Sequence, residues 1–276
     1  MPLYVVATPI RNLSDLSPRA TEALGTADVV AAEDTRVSRK LFSALKIPMP
    51  SQMIRYSSHT EEASLALLLQ ALEEGQRVVL ITDAGTPCVS DPGERIVRAC
   101  HDRQLPIEVF PGPSAGAAAL SASGLPGTPH HFLGFPPRKA GPLRKWLEQA
   151  GAYPGSLVVY ESPQRSVRFS KAVAEALPDR EICLCREISK LHEEILLLPV
   201  AEMASNLADR ERIRGEVVFV IGPGAVPKSA VQQEPVGTRL KEIAAALAER
   251  WGCSRKEAYE YLLAAEEERL QEDSAC

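Results

Sequence analysis

Several signals are missing from this 276-residue chain, and each absence narrows its class. No apolar run is longer than a strand: Val78–Ile81 and Ile195–Val200 are typical, so no transmembrane helix is expected. The amino terminus enters an apolar segment at Leu3 with no basic region before it, so no secretory leader is expected. Six cysteines stand at 88, 100, 183, 185, 253 and 276 without a Cys-x-x-Cys pair. That pattern fits reduced thiols and a cytoplasmic location, and gives neither a disulfide framework nor a metal site. There is no Gly-x-Gly-x-x-Gly, no Walker loop, no Ser–His–Asp order, no internal repeat and no low-complexity tract. What remains is ordinary globular composition, 45% hydrophobic and 24% charged, at a length that predicts two domains or one with an appendage.

The 31 Lys and Arg against 36 Asp and Glu give a net charge of −5, which on its face speaks against a polyanionic partner. The distribution says otherwise. Three stretches contain no acid: 35–60 with Arg36, Arg39, Lys40, Lys46, Arg55 and His59; 134–145 with Arg138, Lys139, Arg144 and Lys145; and 162–174 with Arg165, Arg168 and Lys171. From Arg239 to Cys276, nine acids and six bases contribute −3 of the total. Each basic stretch alone reads as a solvated helix face; three together point towards a polyanion-facing surface.

In the first half, apolar segments Leu3–Thr8, Val29–Ala32, Val78–Thr82 and Ile107–Phe110 alternate with helical segments Pro18–Leu24, Arg36–Leu45, Glu61–Glu74 and Gly93–Arg103. Fully apolar strands alternating with amphipathic helices predict a parallel α/β sheet covered on both faces. Gly124–His131, with two prolines and two glycines, reads as a linker. The second half predicts strands at Ser156–Tyr160, Glu181–Arg186, Glu194–Leu198 and Glu216–Ile221, and helices near Leu143–Ala150, Gln164–Leu177 and Val200–Leu207. Strands 181–186 and 194–198 leave no room for a helix between them, so part of this sheet should be antiparallel. After a second linker at Gly222–Pro235, Thr238–Trp251 and Ser254–Leu270 predict a helical hairpin joined at Gly252, with Ser254 and Glu257 as a capping box. The expected fold is therefore α/β: an α/β domain over residues 1–123, a second over 124–226, and a linker with helical hairpin over 227–276.

Four loops at strand ends carry the polar chemistry. Ile81–Gly93 runs from an apolar strand through Asp83, Ala84, Gly85, Thr86 and Pro87 to Asp91-Pro92-Gly93. A carboxylate followed by two backbone breakers after a buried strand suits ligand contact, whereas Asp91 reads either as a helix cap or as a ligand group. Pro111-Gly-Pro-Ser114 opens a helix of small residues beginning at Ala115, whose free N–H groups suit a polar ligand and whose alanines suit tight packing. Glu33-Asp34-Thr35-Arg36 places two acids ahead of a helix, with Asp34 or Thr35 as cap. Arg36 in the first turn opposes the helix dipole, so it should face an anion. Thr8-Pro9-Ile10-Arg11-Asn12 ends the first strand at the same rim. In the second half, Tyr160-Glu161-Ser162, Arg186-Glu187 and Arg214-Gly215-Glu216 repeat the pattern of a glutamate at a strand end.

Taken in order, Val6-Ala-Thr-Pro-Ile-Arg-Asn-Leu-Ser-Asp15, Ala32-Glu-Asp-Thr-Arg36, His59-Thr-Glu61, Thr82-Asp-Ala-Gly-Thr-Pro87, Asp91-Pro-Gly93, Pro111-Gly-Pro-Ser114, Tyr160-Glu-Ser162 and Arg186-Glu187 resemble the RsmI family of bacterial 16S rRNA (cytidine-2′-O)-methyltransferases, within the tetrapyrrole-methylase superfamily. The resemblance runs from Leu3 to about Gly222 and weakly into Cys253–Tyr261. It implies two α/β domains with S-adenosyl-L-methionine in the cleft between them, usually as a homodimer, and 2′-O-methylation of a cytidine in the decoding region of 16S rRNA in the small ribosomal subunit. By the same resemblance Thr8, Pro9, Asp83, Ala84, Gly85, Thr86, Pro87, Ser114 and Ala115 would contact the cofactor from one domain, and Tyr160, Glu187, Gly215 and Glu216 from the other. One departure is Arg11, where the family usually has glycine.

For such a transfer Glu33, Asp34 and His59 are the candidate bases, with Arg36 steering a phosphate. Arg39, Lys40, His59, Arg138, Lys139, Arg144, Lys145 and Arg165 are the expected RNA-binding residues, acting mostly through phosphates. No membrane partner is expected. Two other readings share the fold: a tetrapyrrole-type small-molecule methyltransferase and a non-catalytic nucleotide-binding module.

Overall fold

The computed structural model describes residues 1–224, Ala244, Ala248 and 254–262. Met1–Gly224 forms one compact unit and Ala225–Cys276 another. The first unit holds two sheets.

In the first sheet, β1 (Leu3–Val6), β2 (Val29–Ala32), β3 (Gln52–Arg55), β4 (Val78–Ile81) and β5 (Ile107–Phe110) lie parallel in the order β3-β2-β4-β1-β5. All four residues of β2 and of β4 are buried, as covering on both faces requires. On one side Tyr56, Leu68, Leu72, Ile96 and Cys100 close the core, and on the other Leu24, Phe42 and Ile81. Helices α1 (Pro18–Gly25), α2 (Thr35–Leu45), α3 (Glu61–Glu73) and α4 (Glu94–Asp102) make the crossovers. Strand β3 is an addition to the expected set. As an edge strand, Gln52-Met-Ile-Arg55 has no buried residue and hence no continuous apolar run to betray it. The crossover from β1 leads one way to β2, and that from β4 the other way to β5. The carboxyl ends of β1 and β4 thus diverge, which is where open α/β sheets form their ligand crevice.

The second sheet has the order β6-β7-β10-β8-β9, from β6 (His130–Gly134), β7 (Ser156–Glu161), β8 (Glu181–Arg186), β9 (Glu194–Pro199) and β10 (Val217–Ile221). Strands β6 and β7 are parallel; every other pairing, including β8 with β9, is antiparallel as the short connection demands. The segment read as a linker ends earlier than expected, because His130 and His131 already pair with Ser156 and Leu157. Helices α6 (Ala140–Gly151), α7 (Ser166–Ala176) and α8 (Val200–Ala208) cover one face through Leu147, Phe169, Val173 and Met203. The other face receives α5 (Ala115–Ala122), where Ala119 packs against Val158, Cys183 and Val220. The small residues of α5 therefore serve close approach to the second sheet: a Cβ at Gly116 would meet the Phe132 ring at 3.4 Å.

In the second unit Glu257 N–H donates to Ser254 Oγ (3.2 Å) and Ser254 N–H to Glu257 Oε2 (2.8 Å), which is the expected capping box, and residues 255–262 are helical. Of the predicted Thr238–Trp251 helix, only Ala244 and Ala248 are described; both are helical, buried and clustered with Ala258. The rest of that helix, the Gly252 junction and residues 263–270 lie outside the described residues. Among the described residues no helix is long and apolar enough to cross a membrane.

Candidate active site

The loops after β1 and β4 are stitched together. Thr8 N–H donates to Gly85 O (2.8 Å), Gly85 N–H to Thr8 O (3.1 Å), and the buried Thr8 hydroxyl to Thr82 O (3.1 Å). Gly85 has φ +89°, a backbone conformation that side chains rarely adopt, which accounts for glycine at this turn. Thr86 Oγ1 donates to Pro113 O (3.0 Å), tying the same loop to the one preceding α5. Two breakers after a buried strand thus become a rigid ledge.

That ledge forms one wall of a cavity of about 450 Å³ that also takes residues from the second sheet, a size typical of small-molecule sites. Of the residues singled out from sequence, Glu33, Asp83, Ala84, Gly85, Thr86, Ser114, Ala115, Tyr160, Gly215 and Glu216 line it. Thr8, Pro9, Pro87 and Glu187 are not among the lining residues. The first three are buried behind the ledge. Glu187 instead accepts the Glu216 N–H (2.9 Å) and pairs with Lys190, so it positions Glu216. Burial pushes the Glu187 carboxyl up, but the Lys190 ammonium and the Glu216 N–H outweigh it and hold it below its ordinary range.

Sequence reasoning missed Ile10, Val89, Phe135, Val217 and Val218, which supply the apolar walls. Only Val217 and Val218 carried a signal, as the first inward residues of an apolar strand. Asp91 is decided here as well. The cap of α4 is Gly93, so the reading of Asp91 as that cap is wrong; the Asp91 side chain faces the cavity. Burial, then the Glu33 and Asp83 charges, push its carboxyl up to about 6, against the neighbouring Thr82 hydroxyl. The buried Thr82 hydroxyl gives its one proton to Glu33 Oε2 (2.7 Å), which fixes the Glu33 carboxylate beside Asp91. Asp83 is likewise raised, first by burial, although its Oδ1 accepts the Asp34 N–H (3.1 Å).

Two further expectations change. Asp34 caps α2 through Arg36 N–H (2.8 Å) and also grips the Arg36 guanidinium at 2.6 Å. These bonds hold its carboxyl well below the usual range, so Asp34 is a poor proton acceptor. The anion that Arg36 faces is its own helix cap. Arg165, expected to face RNA, is half-buried: its Nη2 donates to Pro136 O (3.1 Å) and Pro137 O (2.9 Å) and lies 3.0 Å from the buried Glu161 carboxylate. Arg39, Lys40, His59, Arg138, Lys139, Arg144 and Lys145 are exposed, with Arg144 3.5 Å from Glu148. His59 is not among the residues lining the cavity. Among the described residues no group of three or more His, Cys, Asp or Glu could hold a metal ion.

The family profile for Tetrapyrrole (Corrin/Porphyrin) Methylases matches residues 2–204. The chain belongs to the tetrapyrrole methylases. Its relatives within that family include a Mesorhizobium japonicum protein named Ribosomal RNA small subunit methyltransferase I, 43% identical over 222 residues, covering 80% of this chain and 75% of the relative. A protein of the same name from Escherichia coli O157:H7 is 34% identical over 271 residues, covering 95% and 94%. Among solved structures, Uroporphyrin-III C-methyl transferase from Thermus thermophilus complexed with S-adenyl homocysteine shares the fold at TM-score 0.53 and 24% identity, over 80% of this chain and 97% of that one. This tetrapyrrole methylase holds Arg11 at φ +105°, a conformation that side chains rarely adopt, and its guanidinium reaches Glu216 Oε1 at 3.3 Å. Arg11 therefore links the first-strand loop to the start of β10 at the cavity wall.

Proposed function

We propose that this chain transfers a methyl group from S-adenosyl-L-methionine to the ribose 2′-hydroxyl of a cytidine in the decoding region of 16S rRNA, acting on the small ribosomal subunit as a cytoplasmic homodimer. The observation that carries the reading is the charge of the cavity. Among the described residues Glu33, Asp83, Asp91, Glu161 and Glu216 line it, and no Lys, Arg or His does. Such a wall repels the phosphates of a nucleotide and attracts a sulfonium cation, which disfavours the nucleotide-binding alternative. The donor set fits the cofactor too. Carboxylates at Asp83 and Glu216 would accept from its hydroxyls and amine, while Ile10, Val89, Val217 and Val218 offer apolar surface for a flat base.

When bound, S-adenosyl-L-methionine supplies an electrophilic methyl group. The protein's part is to bind, orient and exclude water. The Thr8–Gly85 bridge and the Thr86–Pro113 bond hold the ledge rigid, and such alignment can lower a barrier by about 7–11 kcal/mol. Glu33, held by the Thr82 hydroxyl, and Asp91 are the groups placed to take the hydroxyl proton, and a carboxyl near 6 is better matched to that task than an ordinary one. The names of the relatives favour rRNA over the tetrapyrrole-type alternative, as do the exposed Arg39, Lys40, Arg138 and Lys139.

The test is incubation with methyl-labelled cofactor and small subunits from cells that lack the modification. Label should appear in 16S rRNA, at a cytidine whose 3′ linkage becomes resistant to alkali. Label only in a tetrapyrrole, or cofactor binding without transfer to rRNA, would overturn the reading.

A further inference from the structure

A second hollow of about 330 Å³ adjoins the cavity and shares Phe135, Glu161 and Ser162 with it; Pro136, Arg138 and Arg165 complete its walls. Two features of this hollow are only partly satisfied within the folded chain. The first is Phe135, a large aromatic side chain that is 63% exposed. The two residues after it are tied down, since Arg165 donates to the carbonyls of Pro136 and Pro137, and its ring meets Tyr160 edge-on at 5.6 Å between centroids. The second is Glu161, whose side chain is wholly buried. Its Oε1 accepts the Ser162 N–H (2.7 Å), but its Oε2 has no hydrogen-bond partner. Arg165 Nη2 lies 3.0 Å from that oxygen without an aligned bond, and instead donates to the two proline carbonyls. Glu161 Oε2 thus has a neighbouring charge but no donor aimed at it, and a buried acceptor without an aligned hydrogen bond calls for an explanation.

We propose that the hollow seats the target nucleobase: a cytosine turned out of its RNA stack lies on Phe135 and donates its exocyclic amino group to Glu161 Oε2. The inference rests on the rRNA methyl-transfer reading and adds how the base is chosen. Single-stranded bases are recognised by stacking on aromatic rings and by hydrogen bonds to their edges. A carboxylate accepts from the cytosine amino group, whereas uracil presents a carbonyl at that position and is repelled. The shared wall brings a base in the hollow and a methyl donor in the main cavity next to each other, with the ribose between them. Arg138, exposed at the rim, is placed for the flanking phosphate. Glu161 borders the hollow, so its carboxylate is the acceptor that a base seated there would meet.

The experiment is single-turnover methyl transfer to reconstituted small subunits carrying C or U at the target nucleotide, using the full chain and its Phe135→Ala, Phe135→Trp and Glu161→Gln variants. Wild type should prefer C. Phe135→Ala should raise the half-saturating subunit concentration about 5- to 150-fold, the range expected when one base no longer stacks, and Phe135→Trp should restore it. Glu161→Gln, uncharged and able to present either end of its amide, should narrow the C-over-U preference at least about tenfold. Unchanged half-saturation in Phe135→Ala, or an unchanged C-over-U ratio in Glu161→Gln, overturns the assignment. So does a Phe135→Ala variant that loses cofactor affinity alone, measured by calorimetry without subunits. Should Glu161→Gln not fold, the two Phe135 variants decide. A wild-type chain that methylates neither subunit refutes the methyl-transfer reading itself, a different outcome from any of these.

Discussion

Replacing Asp91 with asparagine removes the one carboxyl of the cavity that is pushed up to about 6, and the consequence for stability can be worked out in sign and size. Burial is the largest cause, followed by the Glu33 and Asp83 charges. The distance from the ordinary 3.8 to about 6 corresponds to about 3 kcal/mol at roughly 1.4 kcal/mol per pH unit, and partial solvent screening brings this to about 1–3 kcal/mol. Because the folded value lies above the unfolded one, the protonated form is the stabilised one. The contribution is fully present below about 3.8 and is lost as pH rises through about 6. Asparagine has no charge to lose or gain, so Asp91→Asn should become more stable relative to wild type by about 1–3 kcal/mol between pH 4 and pH 7.5. Urea unfolding of both proteins across that range measures it, with the other carboxyls common to both curves. A stability difference that stays flat with pH would refute the claim that burial and neighbouring acids disfavour this carboxylate. A difference falling in favour of wild type would show that a cation reaches Asp91.

Arg165→Ala should destabilise the fold by about 3 kcal/mol in urea unfolding, because it strips the buried Glu161 of its neighbouring charge and frees the Pro136 and Pro137 carbonyls. Gly215→Ala should cost about 1–3 kcal/mol and weaken cofactor binding in calorimetry, since Gly215 has φ +90° and a Cβ there would overlap the Glu187 side chain that positions Glu216. Arg11→Gly should raise stability by about 1 kcal/mol, read as a higher urea midpoint at unchanged slope, because glycine accepts φ +105° without strain and the exposed Glu216 pairing it gives up is weak. Paired substitution of Arg39 and Lys40 by alanine should lower the slope of log affinity against log salt for small subunits by about 1 for each phosphate no longer neutralised, measured by filter binding across a salt series.

Local pattern settled much of this molecule. Buried strands such as Val29–Ala32, Val78–Ile81 and Val217–Ile221 are apolar on both faces and declare themselves without any tertiary information. The loop after Val78–Ile81, with Asp83, Gly85 and Thr86, was readable because backbone breakers after a buried strand have few uses. The Ser254–Glu257 capping box was readable because both partners lie within one turn. Strands Gln52–Arg55 and His130–Gly134 were not, since neither holds a buried residue and their polar residues break the apolar run. The tertiary structure alone decided which charges are spent within the fold: Arg36 on its own cap, Arg165 on Pro136 and Pro137 beside Glu161, Asp91 against the cavity rather than on a helix end. Burial and hydrogen-bond partners separated by tens of residues determine whether a charged side chain is structural or available, and neither can be read from spacing along the chain.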